Sequence, residues 1–102
     1  MKLLFICSQN LHRSPTAEEV FRGRFETRSA GLYNEAPVTA EQLEWADVII
    51  VMEEEHRAEL VKRFPEACLR KRLLTLGIPD IYRRNDPQLV RLLKRKMKEA
   101  LP

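Results

Sequence analysis

The stretch ADVIIVM (residues 46–52) constrains the fold most strongly. Its centre is apolar at every position, with no alternation of polar and apolar residues. A strand with one solvated face would alternate, so this strand is expected to be covered on both faces, as strands of parallel sheets are. KLLFI (2–6) has the same character and ends abruptly at Cys7. ETRSAG (26–31), closed by Gly31, reads as a weaker strand, and RLLTLGI (72–78) as a fourth. Helical patterns lie between and after them: SPTAEEVFRGRF (14–25), TAEQLEW (39–45), EEEHRAELVKRF (53–64) and DPQLVRLLKRKMKEAL (86–101). Residues 32–38, with Asn34 and Pro37, read as a loop. Strands alternating with helices predict an α/β fold with right-handed crossovers. The expectation is a single flavodoxin-like domain over residues 1–102: a four-stranded parallel sheet of order 2-1-3-4 with helices on both faces.

The helices carry further expectations. Ser14 reads as the N-cap of the first helix, with Pro15 in its first turn. Ala17, Val20 and Phe21 share a face, which the stem of Arg24 would extend. Thr39 caps the second helix. The third would bury His56 or Arg57 partly and Leu60, Val61 and Phe64 more fully. Leu89, Leu93, Met97 and Leu101 form one stripe on the last.

Composition narrows the function classes. The chain is 44% apolar and 32% charged, which suits an ordinary globular domain rather than a disordered one. Its longest apolar runs are too short to span a bilayer, and the N-terminus lacks the order of a signal peptide, so a cytoplasmic protein without membrane contact is expected. The two cysteines, Cys7 and Cys68, are expected to be free thiols there. With no CxxC and two histidines, neither a metal nor a cofactor is expected. The net charge of +3 concentrates in LRKRLL and LLKRKMKEA. No aromatic residues are interleaved there to stack on bases, so these read as solvated helix faces and nucleic acid is not an expected partner.

Ligands of open α/β sheets bind beyond the carboxyl ends of the strands. The first such loop is CSQNLHRSP (7–15). A tight loop there can turn backbone N–H groups inward as an anion nest, and the following helix adds its unpaired N–H groups and positive dipole end. Arg13 offers a planar fork of donors for two oxyanion oxygens. Together these features favour phosphate, bound by Ser8, Gln9, Asn10, Leu11, His12, Arg13 and Ser14. Helix N-termini and cations favour a thiolate over a thiol, and the thiolate is the nucleophile. Cys7 is thus a candidate for covalent catalysis beneath a cradled phosphorus. Taken alone, a cysteine closing a buried strand is an ordinary small apolar residue; its place at this strand-to-helix turn gives it chemical meaning.

FICSQNLHRSPTAEEVF resembles, through Phe21, the Cys-x5-Arg-Ser-Pro signature of the low-molecular-weight protein tyrosine phosphatases. RSAG resembles that family's second strand, and ADVIIVM with His56 beyond it the third-strand region. The resemblance implies a phosphomonoester hydrolase, in the first instance a protein tyrosine phosphatase, working through a phosphocysteine at Cys7 without a cofactor. Arg13 would clamp the phosphate, Asn10 would hold the loop shape and Ser14 would hydrogen-bond the Cys7 thiolate. The partners implied are a phosphorylated protein or small aryl phosphate, with inorganic phosphate as product. The sequence departs from the pattern at Gln9, where glycine is common, and at His12, where a second cysteine is frequent; His12 is expected to face outward. The chain is also short for the family.

Ester cleavage needs a proton for the leaving oxygen, which the family draws from an Asp-Pro pair near the C-terminus. GIPDIYRRNDPQL holds two candidates. Asp86 keeps the dipeptide, but Pro87 reads as the first residue of the last helix, so Asp86 or Asn85 caps it. Asp80 lies mid-loop at the ligand edge; the fourth strand is expected about 10 Å from the first across two strand spacings, a gap that the loop from Gly77 to Asn85 can bridge, and Asp80 is the preferred acid. Glu53, Glu54 and Glu55 follow a strand at the same edge and read as first-turn helix acids, Glu53 being a third candidate. Tyr33 and Tyr82 are candidates to flank an aromatic substrate. Arsenate reduction, which needs further thiols where only Cys68 is available, and a non-catalytic phosphate-binding module are the alternatives.

Overall fold

The computed structural model describes residues 1–101. Its elements follow the order β1 (Lys2–Cys7), α1 (Arg13–Phe21), β2 (Glu26–Gly31), α2 (Ala40–Trp45), β3 (Val48–Val51), α3 (Glu54–Arg63), α4 (Pro65–Arg70), β4 (Arg72–Thr75) and α5 (Pro87–Ala100). The strands form one parallel sheet of order β2-β1-β3-β4, as the alternation of elements predicts. The register pairs Cys7 with Gly31, Ile6 with Val51, and Val51 with Thr75, so all four strands release their loops at one edge.

Both faces of the sheet are covered. Leu3, Phe5, Val48 and Ile50 pack against Ala17 and Phe21 of α1 and Leu89, Leu93 and Met97 of α5. Leu4, Ile6, Ile49 and Val51 face the other way, against Leu43 of α2, Leu60 of α3 and Ala67 of α4. β3 is buried at every position, which explains its unbroken apolar run. Among the described residues, no helix is long and apolar enough to cross a membrane.

Five local expectations are corrected. α1 begins at Arg13 and its flanking residue is His12, which makes no side-chain cap; Ser14 is turned toward Cys7 instead. α1 ends at Phe21, where the poor helix former Gly23 follows, and Arg24 is exposed rather than extending the apolar face. On α3, His56 is fully buried, while Val61 is 42% exposed. α4 has no counterpart in the spacing of apolar residues: Pro65 at its first turn separates it from α3, and only Ala67 is buried along its six residues. β4 stops at Thr75, earlier than RLLTLGI suggests, but the chain continues alongside β3 through Leu76 N–H to Val51 O (3.0 Å) and Ile78 N–H to Met52 O (2.8 Å). Gly77, at φ +73°, makes the turn between them.

Candidate active site

Cys7 ends β1 at the loop-bearing edge, and residues 8–12 carry the chain to α1. Asn10 adopts φ +56°, a left-handed conformation that asparagine tolerates better than most residues. This folds the loop back on itself. Among the described residues, no backbone N–H from Ser8 through Ser14 donates a hydrogen bond within the protein, so all are free to converge on an anion. Gly31 is part of this construction: a Cβ there would lie 2.5 Å from Asn34 Oδ1 and 3.0 Å from the Asn10 nitrogen. Its missing side chain lets the loop approach β2.

Behind the loop, the Ser14 hydroxyl lies 2.9 Å from Cys7 Sγ, 2.9 Å from Asn10 Oδ1 and 3.4 Å from the Ala30 carbonyl. Ser14 therefore joins the sulfur to the residue that shapes the loop. Ser8 accounts for another fixed point. His56 Nδ1 accepts the Glu53 N–H at 3.1 Å, so the ring proton is on Nε2, which donates to Ser8 Oγ at 2.9 Å. Burial, and then the Arg13 cation, lower the His56 pKa, so this ring holds the neutral form.

Arg13 is 1% exposed, although it is the first residue of a helix. Its Nη1 donates to Glu53 Oε1 and, at 2.8 Å, to the Ile78 carbonyl; its Nε lies 3.7 Å from Asp80 Oδ1. One guanidinium thus ties together the loops after β1, β3 and β4. A cleft of about 180 Å³ opens beside it, lined by Cys7, Ser8, Gln9, Leu11, His12, Arg13 and Asp80.

Asn10 and Ser14 are not on the cleft wall; they brace it from behind. Asp80 borders the cleft with its side chain 62% exposed. Asp86 does not: its carboxylate accepts the Gln88 N–H at 2.8 Å and caps α5. Neither tyrosine lines the cleft. Tyr33 is 52% exposed with the Arg63 guanidinium 5.2 Å from its ring centroid, and Tyr82 packs on the cluster beneath α1 and α5. His12, expected to face outward, is half-buried, and its Nδ1 accepts the Arg84 N–H at 3.2 Å. Glu53 is the residue whose role the sequence conceals. First-turn acids are common on helices, and only its place at the carboxyl end of β3 hints that it meets Arg13. Glu53, Glu55 and His56 cluster closely enough to suggest a metal site, but Glu53 is paired with Arg13 and both His56 nitrogens are engaged. Cys68 is on α4 against the cluster on the opposite sheet face from Cys7, and burial pushes its thiol pKa up.

No family model and no curated protein sequence matches the chain. Solved structures do. The tyrosine phosphatase Wzb from Escherichia coli K30, in complex with phosphate, superposes with a TM-score of 0.77 at 24% identity, over 96% of this chain and 94% of that one. A low-molecular-weight protein tyrosine phosphatase from T. tengcongensis gives 0.74 at 22% identity, over 96% and 93%. The YwlE arginine phosphatase from Geobacillus stearothermophilus gives 0.66 at 23% identity, over 96% and 84%. Strand order, the turn from β1 to α1 and these superpositions agree: the chain has the fold of the low-molecular-weight protein tyrosine phosphatases.

Proposed function

We propose that this protein is a cysteine-dependent phosphomonoester hydrolase acting on phosphotyrosine in proteins or on small aryl phosphates. One observation carries the reading: Cys7 Sγ stands at the base of a loop whose N–H groups from Ser8 to Ser14 lack protein acceptors, with the buried Arg13 at its end. That arrangement suits the three equatorial oxygens of a phosphoryl group in transfer.

The Ser14 hydroxyl has one proton and, when Cys7 is ionised, donates it as a hydrogen bond to the thiolate, which stays unprotonated. The thiolate attacks phosphorus, forming an S–P bond as the ester P–O bond breaks. Asp80, protonated, gives its proton to the departing oxygen. A water then attacks phosphorus, Asp80 takes a proton from it, the S–P bond breaks and inorganic phosphate leaves. Among the structural neighbours, a YwlE variant with serine in place of cysteine is described with a phosphorylated active-site serine, consistent with in-line covalent transfer on this scaffold. Both cysteines are free thiols, which fits a reducing cytoplasm. Cys68 lies across the sheet from Cys7, so it is poorly placed to resolve an arsenic adduct.

The test is hydrolysis of p-nitrophenyl phosphate by the wild type and by Cys7→Ser. The wild type turns over with vanadate as a competitive inhibitor, and the variant is inactive. A wild type that binds phosphate without turnover is a binding module, and the hydrolase reading fails.

A further inference from the structure

The loop between β4 and α5 carries Asp80, yet Asp80 itself is poorly held. Its side chain is mostly exposed, and among the described residues its ion-pair partner is Arg13 at 3.7 Å. Pro79, Ile81 and Arg83 are exposed too. The loop is fixed only at a few points. The Ile78 carbonyl is held by Arg13, and Tyr82 rests on the core. At the far end, the Arg84 N–H donates to His12 Nδ1 (3.2 Å), the Asn85 N–H donates to Thr16 Oγ1 (2.9 Å), and the Arg84 guanidinium pairs with Glu19 at 2.7 Å. Thr16 Oγ1 in turn donates to the His12 carbonyl at 2.6 Å. Asn85 takes φ +64° to present its amide in this way, and Asp86 then starts α5.

His12 differs from the other ties. Thr16 and Glu19 belong to the body of α1, whereas His12 belongs to the anion-binding turn. It is the one side chain of that turn that reaches the Arg84 end of the acid-bearing loop. A bond between them sets the distance between nucleophile and acid.

We propose that His12 is a positioning residue: through Nδ1 and the Arg84 N–H it holds the 79–85 loop in the register that brings Asp80 to the leaving oxygen. The inference rests on the hydrolase reading and deepens it. His12 touches no bond that breaks. Its removal therefore slows the step that needs Asp80's proton more than steps that do not.

Esters of different leaving groups separate these effects. Phenyl phosphate releases a poor leaving group that needs a proton; 2,4-dinitrophenyl phosphate releases one that does not. The readout is the ratio of kcat/KM on the dinitrophenyl ester to kcat/KM on the phenyl ester, because kcat/KM covers the steps through S–P bond formation and leaves out the later water attack, which both esters share and in which Asp80 also acts. His12→Phe keeps a ring and removes the acceptor, and raises the ratio about fivefold, the size expected for one lost loop hydrogen bond. His12→Asn, whose Oδ1 can stand near the lost Nδ1, keeps the ratio close to that of the wild type. Hydrogen exchange at the Arg84 amide speeds up in His12→Phe and not in His12→Asn. His12→Leu, which also lacks the acceptor, moves the ratio in the same direction and decides the matter if the Phe variant does not fold. An unchanged ratio, or equal losses on both esters, overturns the positioning role while leaving the hydrolase reading intact. A wild type inactive on both esters overturns the hydrolase reading and this role with it.

Discussion

Replacing Glu53 by glutamine removes the negative charge that is bonded to the buried Arg13. Arg13 is 1% exposed and Glu53 is the carboxylate bonded to it; the Glu53 side chain is 30% exposed. Breaking a fully buried ion pair from one side costs about 3–5 kcal/mol, because the remaining charge stays desolvated. Three features of the structure lower that figure. Glutamine Oε1 can still accept from Nη1, the Ile78 carbonyl keeps its bond at 2.8 Å, and Asp80 stands 3.7 Å away, screened by water. About 2 kcal/mol remains. For a domain of this size each kcal/mol moves Tm by about 4–8 °C, so Glu53→Gln should melt roughly 8–16 °C below the wild type. Phosphate supplies the missing negative charge. The variant should therefore bind phosphate more tightly than the wild type, and each tenfold gain in affinity returns about 1.4 kcal/mol at saturating ligand. The assay is thermal unfolding of both proteins across a phosphate titration, with Cys7→Ser as a background that turns nothing over. A variant melting within about 2 °C of the wild type, or a gap that saturating phosphate leaves untouched, would refute the claim that Glu53 neutralises a buried Arg13.

Three further outcomes are expected. Asp80→Asn should lower kcat on phenyl phosphate by about a hundredfold or more, the usual weight of a general acid, while Asp86→Ala should cost about 1 kcal/mol of stability through its lost cap and keep turnover on the same ester. Because burial and Arg13 lower the His56 pKa below 6.5, the unfolded chain takes up that proton first as pH falls. Stability from this group is thus complete above about pH 6.5 and declines below it, by at most about 1.4 kcal/mol per pH unit, until the folded ring also protonates. Urea midpoints across that range should show the slope, and His56→Gln should flatten it. Gly31→Ala should cost about 1–3 kcal/mol, because the new methyl meets Asn34 Oδ1 and the Asn10 backbone nitrogen; vanadate inhibition should weaken with it as the turn is pushed outward.

Much of this molecule was legible without coordinates because its strongest signals are local. Whether VIIV alternates or runs unbroken depends only on the faces of one strand, and the order of strands and helices then leaves few right-handed parallel topologies. Asp86 could be read as a cap because a helix start at Pro87 is a matter of neighbouring residues. Local reasoning also misled. Ser14 has the chemistry of an N-cap and the position of one, yet Cys7 and Asn10 compete for its hydroxyl and hold it. α4 went unseen because one buried alanine in six residues leaves no periodicity to detect.

The sequence by itself therefore determined the alternating architecture and the placing of Cys7 and Arg13 on either side of one strand-to-helix turn, since both follow from the periods and turn preferences of contiguous residues. Tertiary structure alone decided that Arg13 meets Glu53, 40 positions away, that His56 braces Ser8 across 48, and that His12 meets the Arg84 amide across 72. The physical reason is register: parallel pairing brings the carboxyl ends of β1, β3 and β4 to one edge, and which side chains then touch depends on the relative heights of strands that no local pattern encodes.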